Sequence, residues 1–428
     1  MALTETERAV CAAIAARQQQ LVDELAAWVA IPTGRGFRPG LHKQRAQLAR
    51  KLRGLGATTR DIPCAPRPDW LEPPGAEEQP GHAEEHGPVD VLVGEHAGSG
   101  PRLLLSGHFD TVHDPHGAFQ ELKDAGQGRA TGPGCVDMKG GLVVAFAALA
   151  ALAACGQQVR WSFVLTPDEE TGSFGSAAAL QELGRKHDVG LVFEPAGAGG
   201  SLITSRMGAG QFRLEAFGRS AHVGRDPEKG ASAVLALCQA VAAIHGQHAP
   251  SAGRVVNVGP LVGGVTTNIV PDHALAWGNV RFADAQAEAA LAAALNALQA
   301  GTGHHSGGGA TNAGALPRVE VRHVFNRPAK PCTPQVERLA ELARACSQDL
   351  GHELPFGSTG GVCDGNTLQA VGLPVLDTLG VRGGNLHRTD EWMELASLTD
   401  RAQLAALFML RLPDAGVVRT QTPEASHA

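Results

Sequence analysis

The chain has 428 residues, a net charge of −7, 43% hydrophobic and 18% charged residues. That length exceeds what one hydrophobic core fills, so two domains are expected, and an acidic balance without a long basic run argues against a nucleic-acid partner. The eight cysteines include no CxxC pair, which implies neither a disulfide framework nor a thiolate zinc site.

The N-terminal stretch MALTETERAVCAAIAARQQQ carries acids early and no basic segment before an apolar core, unlike a signal peptide. The most apolar run, residues 142–154, is shorter than the roughly 18 residues that cross a bilayer. A cytoplasmic protein with no membrane partner is expected. Residues 4–30 read as one amphipathic helix ending before Ile31-Pro32, and 41–55 as a second, closed by Gly54 or Gly56. Residues 64–88 are rich in proline, glycine and acid without periodicity, a long loop between two strands; its His82 and His86 are not expected to reach a metal. Strands follow at 89–96 and through Leu103-Leu104-Leu105 into SGHFDTV (106–112). A helix at 138–155, a strand at 158–165, a helix at 173–186 and a strand at 189–194 continue the alternation, which predicts a helix-covered, mainly parallel sheet.

From residue 208 the pattern changes. Strand 211–218, helix 231–246, strands 255–263 and 273–282, helix 283–300 and strand 318–325 give the order β-α-β-β-α-β of a ferredoxin-like α+β unit, with a glycine-rich loop at 301–316. The predicted fold class is therefore α/β: a mainly parallel first domain (1–207 and 327–428) interrupted by an inserted ferredoxin-like domain (208–326). The first domain resumes with helix 334–350, a strand near Pro374–Leu376 and a last helix at 398–412. A disordered tail is expected from Pro413.

Ligand sites of such sheets lie at the carboxyl ends of the strands, and there the sequence concentrates acids and histidines. His108 and Asp110 end the strand through 103–105 and point the same way; a carboxylate that takes the other imidazole N–H fixes the tautomer of a metal-binding histidine. Asp137 sits in GPGCVDMKGG (132–141), Glu169 and Glu170 in TPDEETGS (166–173), Glu194 in VFEPAG (192–197) and His387 in GGNLHRTDEW (383–392). Two histidines with several carboxylates suit zinc or a related divalent ion. They are too many for one closed tetrahedral structural zinc.

These motifs, in this order over residues 20–412, resemble the M20 family of dinuclear zinc peptidases and amidohydrolases, near its glutamate carboxypeptidase and acetylornithine deacetylase branches. The resemblance implies two divalent metal ions, zinc or else cobalt or manganese, with Asp137 bridging them. His108 and Glu194 would complete one site, Glu170 and His387 the other. Glu169 would be the general base for a metal-bound hydroxide, with Asp110 beside it at the catalytic centre. In the inserted domain, a lid and dimerisation unit by resemblance, His222 of GRSAHVGRD would stabilise the oxyanion, and Asn268 and Arg281 would bind the carboxylate end of the substrate. Arg206, in SRMG, falls in the stretch expected to read the substrate. Met207 stands where glutamate carboxypeptidases often have lysine, and Cys363 where a serine is usual, so side-chain specificity is not inherited.

The implied activity is cleavage of an amide or peptide bond next to a free carboxylate in a small molecule or short peptide, by a homodimer joined through the inserted domains. The alternative is an N-acyl amino acid deacylase. A non-catalytic binding protein would have no use for Glu169. No G-x-S-x-G elbow points to a serine hydrolase, and no G-K-[ST] follows the glycines at 132–141.

Overall fold

Thr4 and Glu7 form a capping box that starts helix α1 (Glu5–Ala15). The single helix expected over 4–30 is in fact two: the chain breaks at Ala16–Arg17 and restarts as α2 (Gln18–Val29). No residue between Ile14 and Leu21 is buried, so no packing holds one axis across that polar stretch. The computed structural model describes residues 2–72, 87–300 and 316–416. His82 and His86, nearly all of the glycine-rich loop and the end of the tail lie outside the described residues.

Helix α3 (Arg38–Gly54) leads into strands β1 (Thr58–Ile62), β2 (Val91–His96) and β3 (Ser99–His108), then a hairpin of β4 (Lys123–Gly126) and β5 (Arg129–Thr131). Helix α4 (Lys139–Ala154), strand β6 (Val159–Thr166), helix α5 (Ala177–Lys186) and strands β7 (Val189–Val192) and β8 (Leu202–Arg206) complete the first part. The inserted unit comprises β9 (Gly208–Phe217), α6 (Ala233–His245), β10 (Arg254–Gly263), β11 (His273–Phe282), α7 (Ala285–Ala300) and β12 (Arg318–Arg327). The chain ends with α8 (Pro334–Asp349), β13 (Phe356–Thr359), α9 (Asp364–Ala370), β14 (Val375–Leu376), β15 (Gly383–Gly384), β16 (Trp392–Glu394) and α10 (Ser397–Arg411).

The main sheet has six strands in the order β1-β2-β6-β3-β7-β14. Its β6, β3, β7 and β14 pair in parallel and only β2 runs against the rest, so the expected mainly parallel sheet is present. Leu103, Leu104 and Leu105 of β3 are wholly buried, as an unbroken apolar run in a helix-covered sheet should be. Helix α4 is apolar around most of its circumference because it packs between β3 and helices α1, α2 and α10. Gly141 also lets it approach the segment after β7: a Cβ there would lie 1.9 Å from the Phe193 carbonyl oxygen.

The inserted unit forms a four-stranded antiparallel sheet, β10-β11-β9-β12, the ferredoxin-like arrangement expected. It buries its own core, including Phe212, Leu237, Ile244, Phe282 and Leu291. Two small sheets were not foreseen. Parallel β8 and β13 form one; β15-β16-β5-β4 form the other, joining residues 129–131 to 392–394. Strands of two to five residues offer too little alternation to read. All eight cysteines are free, and no helix among the described residues is long and apolar enough to cross a membrane.

Candidate metal centre and its acid–base shell

Central strand β3 delivers His108 to the buried carboxyl end of the sheet. Its Nδ1 lies 3.1 Å from the Asp110 backbone oxygen and 3.3 Å from the Asp110 carboxylate, and its Nε2 faces Asp137 Oδ1 at 3.2 Å and Glu194 Oε1 at 3.8 Å. Asp137 stands at the head of α4, in a loop held from beneath: the buried Glu391 carboxylate accepts the backbone N–H groups of Gly134, Val136 and Asp137 at 2.8–3.1 Å. Glu391 also meets His113 Nε2 at 2.6 Å.

Glu169 and Glu170 occupy a 3₁₀ turn directly after β6. Asp110 fixes the turn, its two carboxylate oxygens accepting the N–H groups of Glu169 at 3.2 Å and Glu170 at 2.9 Å. Glu170 Oε2 lies 3.2 Å from His387 Nε2, and Asp137 Oδ2 lies 3.4 Å from the same nitrogen. His387 has φ of 65°, an uncommon conformation for histidine that marks positions the surrounding structure holds in place.

Two three-residue sets result, His108–Asp137–Glu194 and Asp137–Glu170–His387, each with its ligand atoms within 4.8 Å of one another. They share Asp137. The donor chemistry fits divalent ions. Burial and the Asp137 charge raise the Glu170 and Glu194 carboxyls, so the pocket gathers like charges that cations would relieve. Glu170 Oε1 is buried with no hydrogen-bond partner among the described residues. Burial opposes charge on His108, but Asp110 and Asp137 outweigh it and raise this imidazole well above its usual value. Asp137 and Glu170 push His387 up to about 10. Asp137 itself is lowered, burial being outweighed by the two histidines.

Glu169 is the acid–base candidate. Burial pushes its carboxyl up to about 8 against the pull of Arg327, whose Nη2 donates to Glu169 Oε1 at 2.8 Å. Arg327, Asp364, Glu391 and His113 were not singled out from the sequence. Arg327 heads an unremarkable Arg-Pro-Ala, and Glu391 lies four residues beyond His387; only their partners in space distinguish them.

Of the remaining expected site residues, Arg281 is close enough to Glu169 and Arg327 to feel both charges, and its Nη1 is buried without a partner among the described residues. His222 and Asn268 meet each other through the loop backbone, Val223 N–H donating to Asn268 O at 3.2 Å. Both are exposed, and among the described residues no hydrogen bond or ion pair joins either to the ligand cluster. Arg206 is held by partners within the protein. It is buried, with Nε and Nη2 on Asp377 at 2.6 and 3.1 Å and Nη1 on the Gly361 carbonyl at 3.3 Å. Each of its three nitrogens has a protein acceptor, which ties it to Asp377 and to the Gly361 segment. Cys363 is the N-cap of α9, its sulfur accepting the Gly365 N–H; the thiol fills the cap position of a serine.

This fold with this site defines a metal-dependent amidohydrolase or peptidase. The family model described as Peptidase family M20/M25/M40 matches residues 104–411, and the chain belongs to that family. It is 27% identical over 332 residues to carboxypeptidase G2 of Pseudomonas sp. strain RS-16, covering 76% of this chain and 77% of that protein. It is 28% identical over 354 residues to succinyl-diaminopimelate desuccinylase of Rhodopseudomonas palustris, covering 77% and 85%. Among solved structures, a tripeptidase from Staphylococcus aureus shares the fold at TM-score 0.70 and 19% identity, over 93% of this chain and 99% of that one. A dinuclear metal-binding M20 peptidase from Bacillus subtilis does so at TM-score 0.63 and 14% identity, over 94% and 99%.

Proposed function

We propose that the protein hydrolyses an amide or peptide bond next to a free carboxylate, in a small molecule or short peptide, using two divalent ions. The observation that carries this reading is Asp137 standing between two ligand sets while Glu169, next to ligand Glu170, binds in neither. His108 and Glu194 complete one site, Glu170 and His387 the other. The mixed nitrogen and carboxylate donors suit zinc first, with cobalt or manganese as substitutes. Bound there, such ions would acidify a water and polarise the scissile carbonyl.

The chain's own residues do the rest. Glu169 takes the proton of the attacking water and returns it to the leaving amine. Asp110 holds the turn that aims it and orients His108. Arg281, with an uncommitted buried nitrogen, receives the substrate carboxylate. His222 and Asn268 lie on the inserted unit at an exposed rim, where they would reach a reaction centre belonging to a second copy. Six of the seven large exposed apolar residues described, Val223, Leu235, Leu261, Val262, Val265 and Ile269, belong to this unit, and Val265 is 98% exposed. That cluster, beside edge strand β10, supports a homodimer joined through the inserted sheets.

The second reading is release of an acyl group from an N-acyl amino acid, favoured by the desuccinylase relatives, 85% of whose length one such match covers. One panel decides between them: dipeptides with acidic and neutral C-terminal residues against N-acetyl and N-succinyl amino acids, each with zinc, cobalt or manganese. Turnover of dipeptides supports the first reading, turnover of acyl compounds alone the second. Inertness of the two-metal protein towards both sets would overturn both.

A further inference from the structure

Two consecutive residues of the inserted sheet grip the turn that carries Glu169. β12 ends at Arg327, which is 1% exposed. Its Nη2 donates to Glu169 Oε1 at 2.8 Å and to Ser173 Oγ at 2.7 Å, and its Nη1 donates to Asp364 Oδ1 at 2.8 Å. Just before it, Asn326 Nδ2 donates to the Gly172 carbonyl at 2.8 Å. Asp364 closes the ring from the far side, accepting Thr166 Oγ1 at 2.7 Å and Ser173 Oγ at 2.5 Å. The turn following β6 is thus clipped between the start of α9 and the last strand of the insert.

A wholly buried guanidinium is tolerated only when its charge is met, and here Glu169 and Asp364 meet it on separate nitrogens. That division needs a rigid planar fork, which a lysine ammonium cannot reproduce. Across the sheet Arg327 pairs with Ala209, whose partner on the other side is Arg281. The two arginines therefore stand level on β12 and β11, yet differ in commitment: both terminal nitrogens of Arg327 are engaged within the protein, whereas Nη1 of Arg281 has no partner among the described residues.

We propose that Arg327 is a positioning residue for Glu169, one that carries the position of the inserted sheet to the general base. Arg281 meets the substrate. Arg327 sets the direction of the base carboxylate, so any displacement of β12 relative to the main sheet moves the base with it. This rests on the reading of Glu169 as the base.

The test compares Arg327→Met, which keeps the stem and removes the donors, with Arg327→Lys, Glu169→Gln and the parent, all loaded with zinc. Amide hydrogen exchange of residues 166–175 reads the grip directly. It should quicken about tenfold or more in Arg327→Met, and less in Arg327→Lys, while the 103–108 segment is unchanged. On the substrate turned over best, kcat should fall about 10–100-fold with KM within about threefold and metal content unchanged. Added guanidinium ion should restore part of that loss to Arg327→Met and none to Glu169→Gln. Unchanged exchange, or a raised KM with kcat intact, would overturn the proposal, the latter by making Arg327 a substrate ligand. Faster exchange with kcat unaltered would reduce it to a brace and overturn it too. Should Arg327→Met not fold, Arg327→Lys and Asp364→Asn carry the same comparison. If the parent cleaves nothing in the panel, the functional reading fails, while the exchange arm still decides whether the grip exists.

Discussion

Glu169 and Glu170 share one turn, and Asp110 accepts the backbone N–H of both, so what separates them is where each carboxylate ends. Glu170 reaches His387; Glu169 reaches Arg327. Glu169→Gln removes a proton acceptor and no ligand: kcat should drop about 10²–10⁴-fold while metal analysis still finds two ions per chain. Glu170→Gln should lose metal instead, and an exchange of these two phenotypes would invert the roles. Glu391 acts one layer further out. Its carboxylate gathers three backbone N–H groups of the Asp137 loop, and an amide would turn one acceptor into a donor facing donors. Glu391→Gln should weaken metal binding by about 10–100-fold, the usual size for a supporting partner of a ligand, as read by titration against a metal buffer.

Among the elements, α4 matters most to the site because Asp137 stands at its head and Gly141 lies against Phe193, the residue before Glu194. Gly141 lets the helix approach the segment after β7, with the Phe193 carbonyl where a Cβ would be. Gly141→Ala cannot fit without pushing α4 away, so a loss of about 1–3 kcal/mol, as for overpacking elsewhere, should come with weaker metal binding. Thermal melting with and without zinc measures both; a variant that melts lower but binds metal normally would uncouple the packing from the site. A second joint links the ends of the chain. On α10, Arg411 Nε meets Glu7 Oε1 of α1 at 2.7 Å, and this pairing holds the Glu7 carboxyl below its usual value. A depressed carboxyl stabilises the fold above its unfolded pKa, about 4.3, and loses that contribution as pH falls through the folded value. The melting gap between parent and Arg411→Met should therefore be widest above about pH 5 and narrow towards pH 3. A gap independent of pH would assign Arg411 to packing alone.

At the scale of the whole molecule, the site of a single chain is incomplete if His222 and Asn268 serve it, since both stand exposed on the insert and no hydrogen bond or ion pair among the described residues joins them to the ligand cluster. If a partner supplies them, mixing inactive Glu169→Gln with inactive His222→Ala should restore activity. Random exchange makes half the dimers mixed, each with one intact site of two, so the ceiling is about a quarter of the parent rate. No recovery after proven subunit exchange would confine His222 to its own chain or deny it a role.

The β/α alternation, the switch to the ferredoxin-like order at 208 and the acids and histidines at strand ends were all legible in the sequence. Each rests on local patterning, an apolar period or a motif fixed to the end of a strand. His108, Asp137, Glu170, Glu194 and His387 could therefore be gathered before any geometry was known, and the structure brings them within ligand distance. Tertiary structure alone decided what surrounds them. Arg206 could be placed near the substrate-reading region by its neighbours in sequence, but its pairing with Asp377, 171 residues on, could not be read there. Arg327 carried no signal of its own and became part of the acid–base shell only because β12 ends over the turn of Glu169. The sheet joining residues 129–131 to 392–394 was illegible for the same reason. Long-range pairs that satisfy buried charge and backbone donors leave no periodicity in the chain, because each partner sees the other only after folding.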